Sequence, residues 1–132
     1  MIKIQNKEFA YNEDDVINFT EGLIGLPELR RAVLISISGM EPFCWLASVE
    51  DEANRFIVVN PHLVFDGYEP MAADAPPVQV RETLSIVKIS SDWKKTTVNL
   101  RAPIFIDKAQ NRGSQFVLTD SNYSLTESFP YT

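Results

Sequence analysis

The chain has almost none of the side chains on which metal sites and nucleophilic enzymes depend. Its 132 residues include one cysteine, Cys44, and one histidine, His62. A lone cysteine allows no disulfide within the chain and no cysteine-rich metal site, and it indicates a reducing compartment. One histidine does not supply the nucleophile, base and orienting group of a catalytic triad. We therefore expect no enzymatic activity and no cofactor, with Cys44 as a packed, inert thiol and His62 on the surface of a loop.

Basic residues are also scarce. Twelve lysines and arginines stand against eighteen acidic residues, which gives a net charge of −6. Nucleic acids and anionic membranes both require clustered basic side chains, so neither is an expected partner. The triplet Trp93-Lys94-Lys95 pairs an aromatic ring with two cations, but one such triplet is too little for a nucleic-acid groove. The charge favours a basic protein partner, or it only keeps the protein in solution.

The chain has no apolar run long enough to cross a bilayer, and its first residues alternate rather than forming the apolar core of a signal peptide. We therefore expect a cytoplasmic protein. It contains no linker, repeat or low-complexity tract, and its length suits one domain over residues 1–132 with a substantial core. A monomer is expected.

Apolar residues alternate with polar ones along most of the sequence, and helical periodicity is rare. Strands are expected near Ile2–Ile4, Ile17–Phe19, Val33–Ile37, Phe43–Val49, Arg55–Val59, Leu84–Ser90, Thr96–Leu100, Pro103–Ile106 and Gln115–Leu118. One short helix is expected at Val78–Thr83, and a hairpin turn at Asn111–Ser114. The pattern predicts an all-β fold: a small, antiparallel, β-barrel-like domain with minimal helix.

Two acidic clusters, Glu13–Asp15 and Glu50–Glu52, are candidates for binding a hard cation. They lack the alternating oxygen ligands and the glycine of a calcium loop, so we interpret both as solvated turns and expect no metal site. The second cluster separates two apolar segments and predicts a hairpin.

The segment Asn99–Ile106 suggests a surface for a protein partner. If it is one strand, Leu100, Ala102, Ile104 and Ile106 face inward, and the opposite face carries Asn99, Arg101, Pro103 and Phe105. Phe105 is the anomaly, an aromatic ring on a polar face. Pro103 removes a backbone donor and so favours an edge strand. We expect Phe105 to be exposed and to act as a binding hot spot.

Other apolar residues fall on faces where polar ones are expected. The segment Arg55–Val59 is apolar on both faces, which adds Ile57 and Val59, and Leu46 departs from the pattern of its own strand. The turn motif Asn60-Pro61 follows directly. These residues either belong to the partner surface or are covered by the loop His62–Pro77, and the sequence leaves both outcomes open.

Several turn-and-strand motifs occur in a distinctive order. They are Glu-Gly-Leu-x-Gly-x at Glu21–Leu26, Pro-Phe-x-Trp-Leu-x-Ser-x-Glu-Asp at Pro42–Asp51, Asn-Leu-x-Ala-Pro-Ile at Asn99–Ile104, and Gln115–Leu118 followed by Tyr123. In order and spacing the chain resembles the FliW family of bacterial flagellar assembly factors over nearly its whole length. It departs from the family pattern at Ile24, Leu26 and Asp107.

The resemblance implies a β-barrel-like protein without catalytic activity that binds two protein partners. One is flagellin before its export, and the other is CsrA, the RNA-binding translational regulator. Holding CsrA would relieve repression of flagellin translation, and free flagellin would compete for the factor and restore repression. The alternatives are a small-barrel nucleic-acid binder of OB type, which needs alternating basic and aromatic residues, and a hydrolase or isomerase with two acids in an apolar pocket.

Overall fold

The computed structural model describes residues 1–71, 75–76, 80–119 and 121–130, and these residues are almost entirely strands and turns. The strands are β1 Ile2–Ile4, β2 Lys7–Phe9, β3 Ile17–Asn18, β4 Arg31–Ser36, β5 Cys44–Ser48, β6 Arg55–Val59, β7 Arg81–Lys88, β8 Thr97–Val98, β9 Ile104–Asp107, β10 Arg112–Gln115 and β11 Glu127–Ser128. Short 3-10 helices lie at Glu13–Asp15, Pro61–Leu63 and Trp93–Lys95. The prediction of an all-β chain with minimal helix is confirmed.

The main sheet closes into a ring. Its strand order is β11-β8-β7-β6-β5-β4-β3-β10-β9, and β9 also pairs with β7. Strands β8 and β11 extend from β7 outside the ring. Neighbouring strands are antiparallel except β3 and β10, which run parallel and are joined by the single pair Asn18 and Arg112. The barrel-like, largely antiparallel prediction is therefore confirmed.

The ring encloses the main core. Its buried members are Ile17, Phe19, Leu23, Leu29, Ala32, Leu46, Val58, Leu84, Ile104 and Ile106. Phe19 lies so close to β10 that a Cβ atom at Gly113 would be 2.2 Å from its ring. Real Cβ atoms do not approach that closely, so only glycine fits at Gly113 unless Phe19 moves.

The outer face of the ring is covered in two places, which explains why several strands are apolar on both faces. The β1–β2 hairpin places Ile2 and Ile4 on Val33 and Ala47. A second outer cluster contains Phe43, Val59, Tyr68, Val87, Val98 and Leu100. The ring of Trp93 packs edge-on against Phe43, with centroids 5.8 Å apart. A strand whose two faces are both covered loses the polar alternation of a solvated sheet.

Two local predictions are wrong. Residues 81–83 begin the long strand β7 rather than ending a helix, and positions 78 and 79 of the expected helix Val78–Thr83 lie outside the described residues. The hairpin turn expected at Asn111–Ser114 comes earlier, because Asn111 adopts the left-handed φ of 51° and β10 already begins at Arg112. Two short strands, β2 and β11, carried too little apolar alternation to be found in the sequence.

Candidate partner-binding surface

Gln115, at the end of β10, connects three motifs that are far apart in the sequence. The backbone N–H of Ile24 donates to Oε1 of Gln115 over 2.9 Å. The side-chain Nε2 of Gln115 donates to the carbonyl oxygen of Ala102 over 3.0 Å. One amide side chain thus uses both its acceptor and its donor, and it joins the turn at Glu21–Leu26 to the segment that begins at Asn99.

The turn at Glu21–Leu26 buries one apolar residue and exposes the next. Leu23 and Leu26 exchange backbone hydrogen bonds of 3.1 and 2.9 Å, and Leu23 packs into the ring interior. Gly22 has a φ of 67°, and a Cβ atom there would lie 2.3 Å from the carbonyl oxygen of Pro27. A tight turn with this geometry needs glycine. Ile24, at the tip, is 59% exposed.

The segment Asn99–Ala102 is a loop that the side chain of Asn99 stabilises. Oδ1 of Asn99 accepts from the N–H groups of Arg101 and Ala102 over 3.1 and 2.9 Å. The hydroxyl of Tyr68 donates to the carbonyl of Leu100 over 2.7 Å. Asn99 therefore shapes the backbone, as asparagine commonly does in turns. The half-buried Arg101 side chain is directed toward the carbonyl of Tyr123, 3.5 Å away.

Two clefts are lined by residues of these segments. The turn cleft holds about 410 Å³ and is lined by Thr20, Glu21, Gly22, Leu23, Ile24, Gly113, Ser114, Gln115 and Phe116. The aromatic cleft holds about 190 Å³ and is lined by Phe65, Asp66, Gly67, Tyr68, Leu100, Asn122, Tyr123, Ser124 and Glu127. Among the described residues that line them, three carry carboxylates and none is basic. Both clefts therefore favour a partner with positive charge.

Phe105 does not lie on the surface, so the expectation that it is exposed is wrong. It points away from Ile104, as the alternation predicted, but its exposed fraction is 0%. The ring of Phe116 lies against it at a centroid distance of 5.6 Å, and the guanidinium carbon of Arg81 is 4.5 Å from its centroid. Pro103 is buried as well. Neither side chain is free to insert into a partner.

The remaining candidates for partner binding are side chains that are buried or that stabilise the backbone. Leu46 belongs to the ring interior, Val59 is a member of the outer cluster, Ile57 packs against that cluster, and Pro61 is buried. Asn60 accepts from the N–H of His62 over 2.9 Å and so caps a 3-10 helix. Of the two outcomes left open, coverage by the loop is correct for Ile57 and Val59, because Phe65 and Tyr68 pack on this cluster, whereas Leu46 lies in the ring interior.

Among the described residues, burial shifts the pKa of three titratable side chains. Burial raises the pKa of the Cys44 thiol, with the charge of Glu82 adding to the shift and a hydrogen bond with Ser36 opposing it. Burial, and then the charge of Arg81, lowers the pKa of His62. Burial also raises the pKa of Tyr68. The described residues contain no group of three or more His, Cys, Asp or Glu placed to hold a metal ion, and they include no helix long and apolar enough to span a membrane.

The acidic turn Glu50–Glu52 has structural contacts as well as charge. Oε2 of Glu52 accepts from the N–H of Lys3 over 2.9 Å, so it ties the β1–β2 hairpin to the β5–β6 turn. Oδ1 of Asp51 accepts from the N–H of Ala53 over 3.1 Å. Glu50 is exposed. Any test of the charge must therefore keep these oxygen acceptors.

The exposed apolar residues are difficult to predict from the sequence. Large hydrophobic side chains with substantial exposure are Met1, Ile24, Met40, Leu63, Met71, Val117 and Leu125. Two of them, Ile24 and Val117, belong to the motifs that Gln115 and its strand bring together. A usable signal existed at Ile24, because it sits between two glycines at the tip of a turn, where a side chain has little to pack against.

Comparison with known proteins places the chain in a family. Residues 3–129 match the model of the FliW protein family. A flagellar assembly factor FliW of Clostridium beijerinckii is 33% identical over 128 residues, covering 91% of this chain and 90% of that protein. One of Clostridium botulinum is 35% identical over 122 residues, covering 87% and 86%. A crystal structure of the flagellar assembly factor FliW superposes with a TM-score of 0.89 at 27% identity, covering 99% and 97% of the two chains. The chain belongs to the FliW family of flagellar assembly factors.

Proposed function

We propose that this FliW-family chain binds flagellin before export and CsrA, the translational regulator, in the cytoplasm, and that it does so without catalysis. In this proposal CsrA held by the chain no longer represses flagellin translation. Flagellin that accumulates competes for the chain and releases CsrA. The observation that carries the proposal is the family match over residues 3–129.

The charge distribution supports a basic partner. An RNA-binding regulator needs lysine and arginine to contact phosphates, so it presents the charge that complements this chain. The net charge of −6 and the carboxylates of Glu21, Asp66 and Glu127 at the two clefts would attract such a surface. Charge of this kind acts mainly on the association rate and on partner choice.

The competition step has a quantitative requirement. If the two partners exclude each other, flagellin at 100 times its own Kd weakens the apparent affinity for CsrA about 100-fold, which is about 2.7 kcal/mol. A smaller ratio of flagellin concentration to its Kd weakens the apparent CsrA affinity proportionally less. The proposal therefore requires the free flagellin concentration in the cytoplasm to rise well above the Kd of flagellin for this chain.

The direct test uses the purified chain with flagellin and CsrA from the same genome. Isothermal titration calorimetry should show that each partner binds, and fluorescence anisotropy should show that the chain releases a labelled flagellin leader RNA from CsrA. Adding flagellin should then restore RNA binding. If neither partner binds the folded chain, the proposed function is wrong.

A further inference from the structure

We propose that the free edge of β10 and the residues after it, Gly113–Val117, receives an extended segment of a partner protein as an added strand. The segment would carry a lysine or arginine and an apolar residue. This inference deepens the proposed function, since it names a surface on which a protein partner of this chain would dock.

The hydrogen-bond register shows which backbone groups of this edge are occupied. The N–H groups of Phe116 and Leu118 donate to the carbonyls of Pro103 and Arg101 over 3.1 and 2.8 Å. These bonds continue the antiparallel β9–β10 ladder, in which Ser114 faces Phe105. Hydrogen-bonding residues alternate in such a ladder, so the N–H groups of Gln115 and Val117 point to the opposite side.

The opposite side of β10 has no strand beside it along this stretch. Strand β3 pairs with β10 at Arg112 alone, and the chain then turns, with the N–H of Gly22 donating to the carbonyl of Phe19 over 3.0 Å. Across the described residues 20–24 and 113–116, the connection is a single bond from the Ile24 N–H to the Gln115 side chain. Residues 113–116 therefore line the turn cleft, and Val117 continues the same strand edge beyond it.

Natural proteins usually block an open strand edge with lysine, proline or a covering segment. The edge Gly113–Val117 contains neither a charged residue nor a proline. The cleft beside it holds about 410 Å³. An edge of five residues spans roughly 17 Å, which is enough for a short strand to pair. Strand addition of this kind is an established mode of peptide recognition.

The side chains around the cleft specify what the added segment carries. Ile24, which lines the cleft, is 59% exposed, and Val117, which follows the lining residue Phe116, is 49% exposed, so each offers apolar surface to the incoming strand. Glu21 is exposed and lines the cleft, and no basic residue is among the described residues of its lining. A lysine or arginine on the added segment would complement that carboxylate.

The decisive variant is Val117→Pro. Proline removes an N–H that the β9–β10 ladder does not use and places a ring on the free edge, so the melting temperature should be nearly unchanged. Flagellin affinity should fall by at least about tenfold, because strand addition loses a hydrogen bond and meets a steric block. Val117→Ala, the matched control, removes the side chain but keeps the N–H, and its affinity should fall much less.

Ser114→Pro is the contrasting variant. It removes an N–H that β9 accepts, so it should lower the melting temperature where Val117→Pro does not. Amide hydrogen exchange on the wild-type chain provides a test without any variant. The amides of Gln115 and Val117 should exchange quickly in the free protein and slowly in the complex, whereas those of Ser114 and Phe116 should be protected in both.

The outcomes separate the two proposals. Equal flagellin affinity of Val117→Pro and wild type, with no new protection at Gln115 and Val117, overturns the strand-addition proposal and leaves the proposed function intact. If neither flagellin nor CsrA binds the wild-type chain, the proposed function is wrong; whenever flagellin does not bind, the edge is tested with a phage-displayed library of short peptides. Selected peptides that lose binding to Val117→Pro support the docking site, and peptides that bind both chains equally overturn it. A wild-type dimer that Val117→Pro dissociates would assign the edge to a second copy and also overturn the proposal.

Discussion

Replacing Phe105 by alanine should destabilise the protein strongly, although the residue sits on the outer face of the ring. The side chain is fully buried, between the ring of Phe116 and the guanidinium of Arg81. Removing a buried phenylalanine ring typically costs about 3–5 kcal/mol, from lost transfer free energy and the cavity that remains. Domains of this size are stable by only about 5–15 kcal/mol, so Phe105→Ala removes a large share of the total.

Part of the stability lost in Phe105→Ala comes from the contact between Phe105 and Arg81. Its guanidinium carbon lies 4.5 Å from the centroid of Phe105. A cation–π contact of this kind contributes about 0.5–1 kcal/mol when it is partly solvated. A double-mutant cycle with Phe105→Leu and Arg81→Met isolates that interaction, because leucine keeps most of the apolar volume and methionine keeps the aliphatic stem without the charge. We expect a coupling energy in that range.

Urea denaturation followed by tryptophan fluorescence measures these changes. Phe105→Ala should lower the midpoint markedly with the m-value unchanged, and Phe105→Leu should lower it by less than half as much. Binding by the folded fraction of Phe105→Leu should remain close to wild type, since the ring is not on the surface. A free energy of unfolding for Phe105→Ala within about 1 kcal/mol of wild type would refute the burial, because removing a covered ring destabilises by more than that.

Three further expectations follow from other parts of the fold. Gly113→Ala should destabilise by about 1–3 kcal/mol in the same urea assay, because its Cβ would lie 2.2 Å from the Phe19 ring. Gly39→Ala is the control, since Gly39 has a positive φ but a Cβ there meets nothing within 4 Å, so this variant measures the effect of positive φ without a steric contact. Replacing the three acids of Glu50–Glu52 by their amides keeps the oxygen acceptors. This variant should weaken the salt dependence of the CsrA association rate in stopped-flow mixing. An unchanged salt dependence would show that this turn does not steer the encounter. Cys44 should react with iodoacetamide more slowly than free cysteine at about pH 8, because burial raises its pKa and reduces the reactive thiolate; a rate equal to that of free cysteine would contradict the packing.

The sequence determined most of the strands and their relative faces. Alternation of apolar and polar residues is a local property, and it correctly set Ile104 and Phe105 on opposite sides of β9. The acidic turn at Glu50–Glu52 correctly predicted the β5–β6 hairpin, with Leu46 opposite Phe56. The motifs also determined the family, since their order and spacing extend along nearly the whole chain.

The tertiary structure decided which faces meet solvent. Phe105 is buried because Phe116 and Arg81, which arrive from other segments, cover it. Val59 is buried because Tyr68 packs on the same outer cluster. The pairing of β9 with β7, which closes the ring, and the early departure of β3, which opens the edge of β10, depend on contacts between distant segments. Alternation reports only which side of a strand a residue occupies, whereas coverage depends on chain segments that are remote in sequence, and those are brought together only when the whole chain folds.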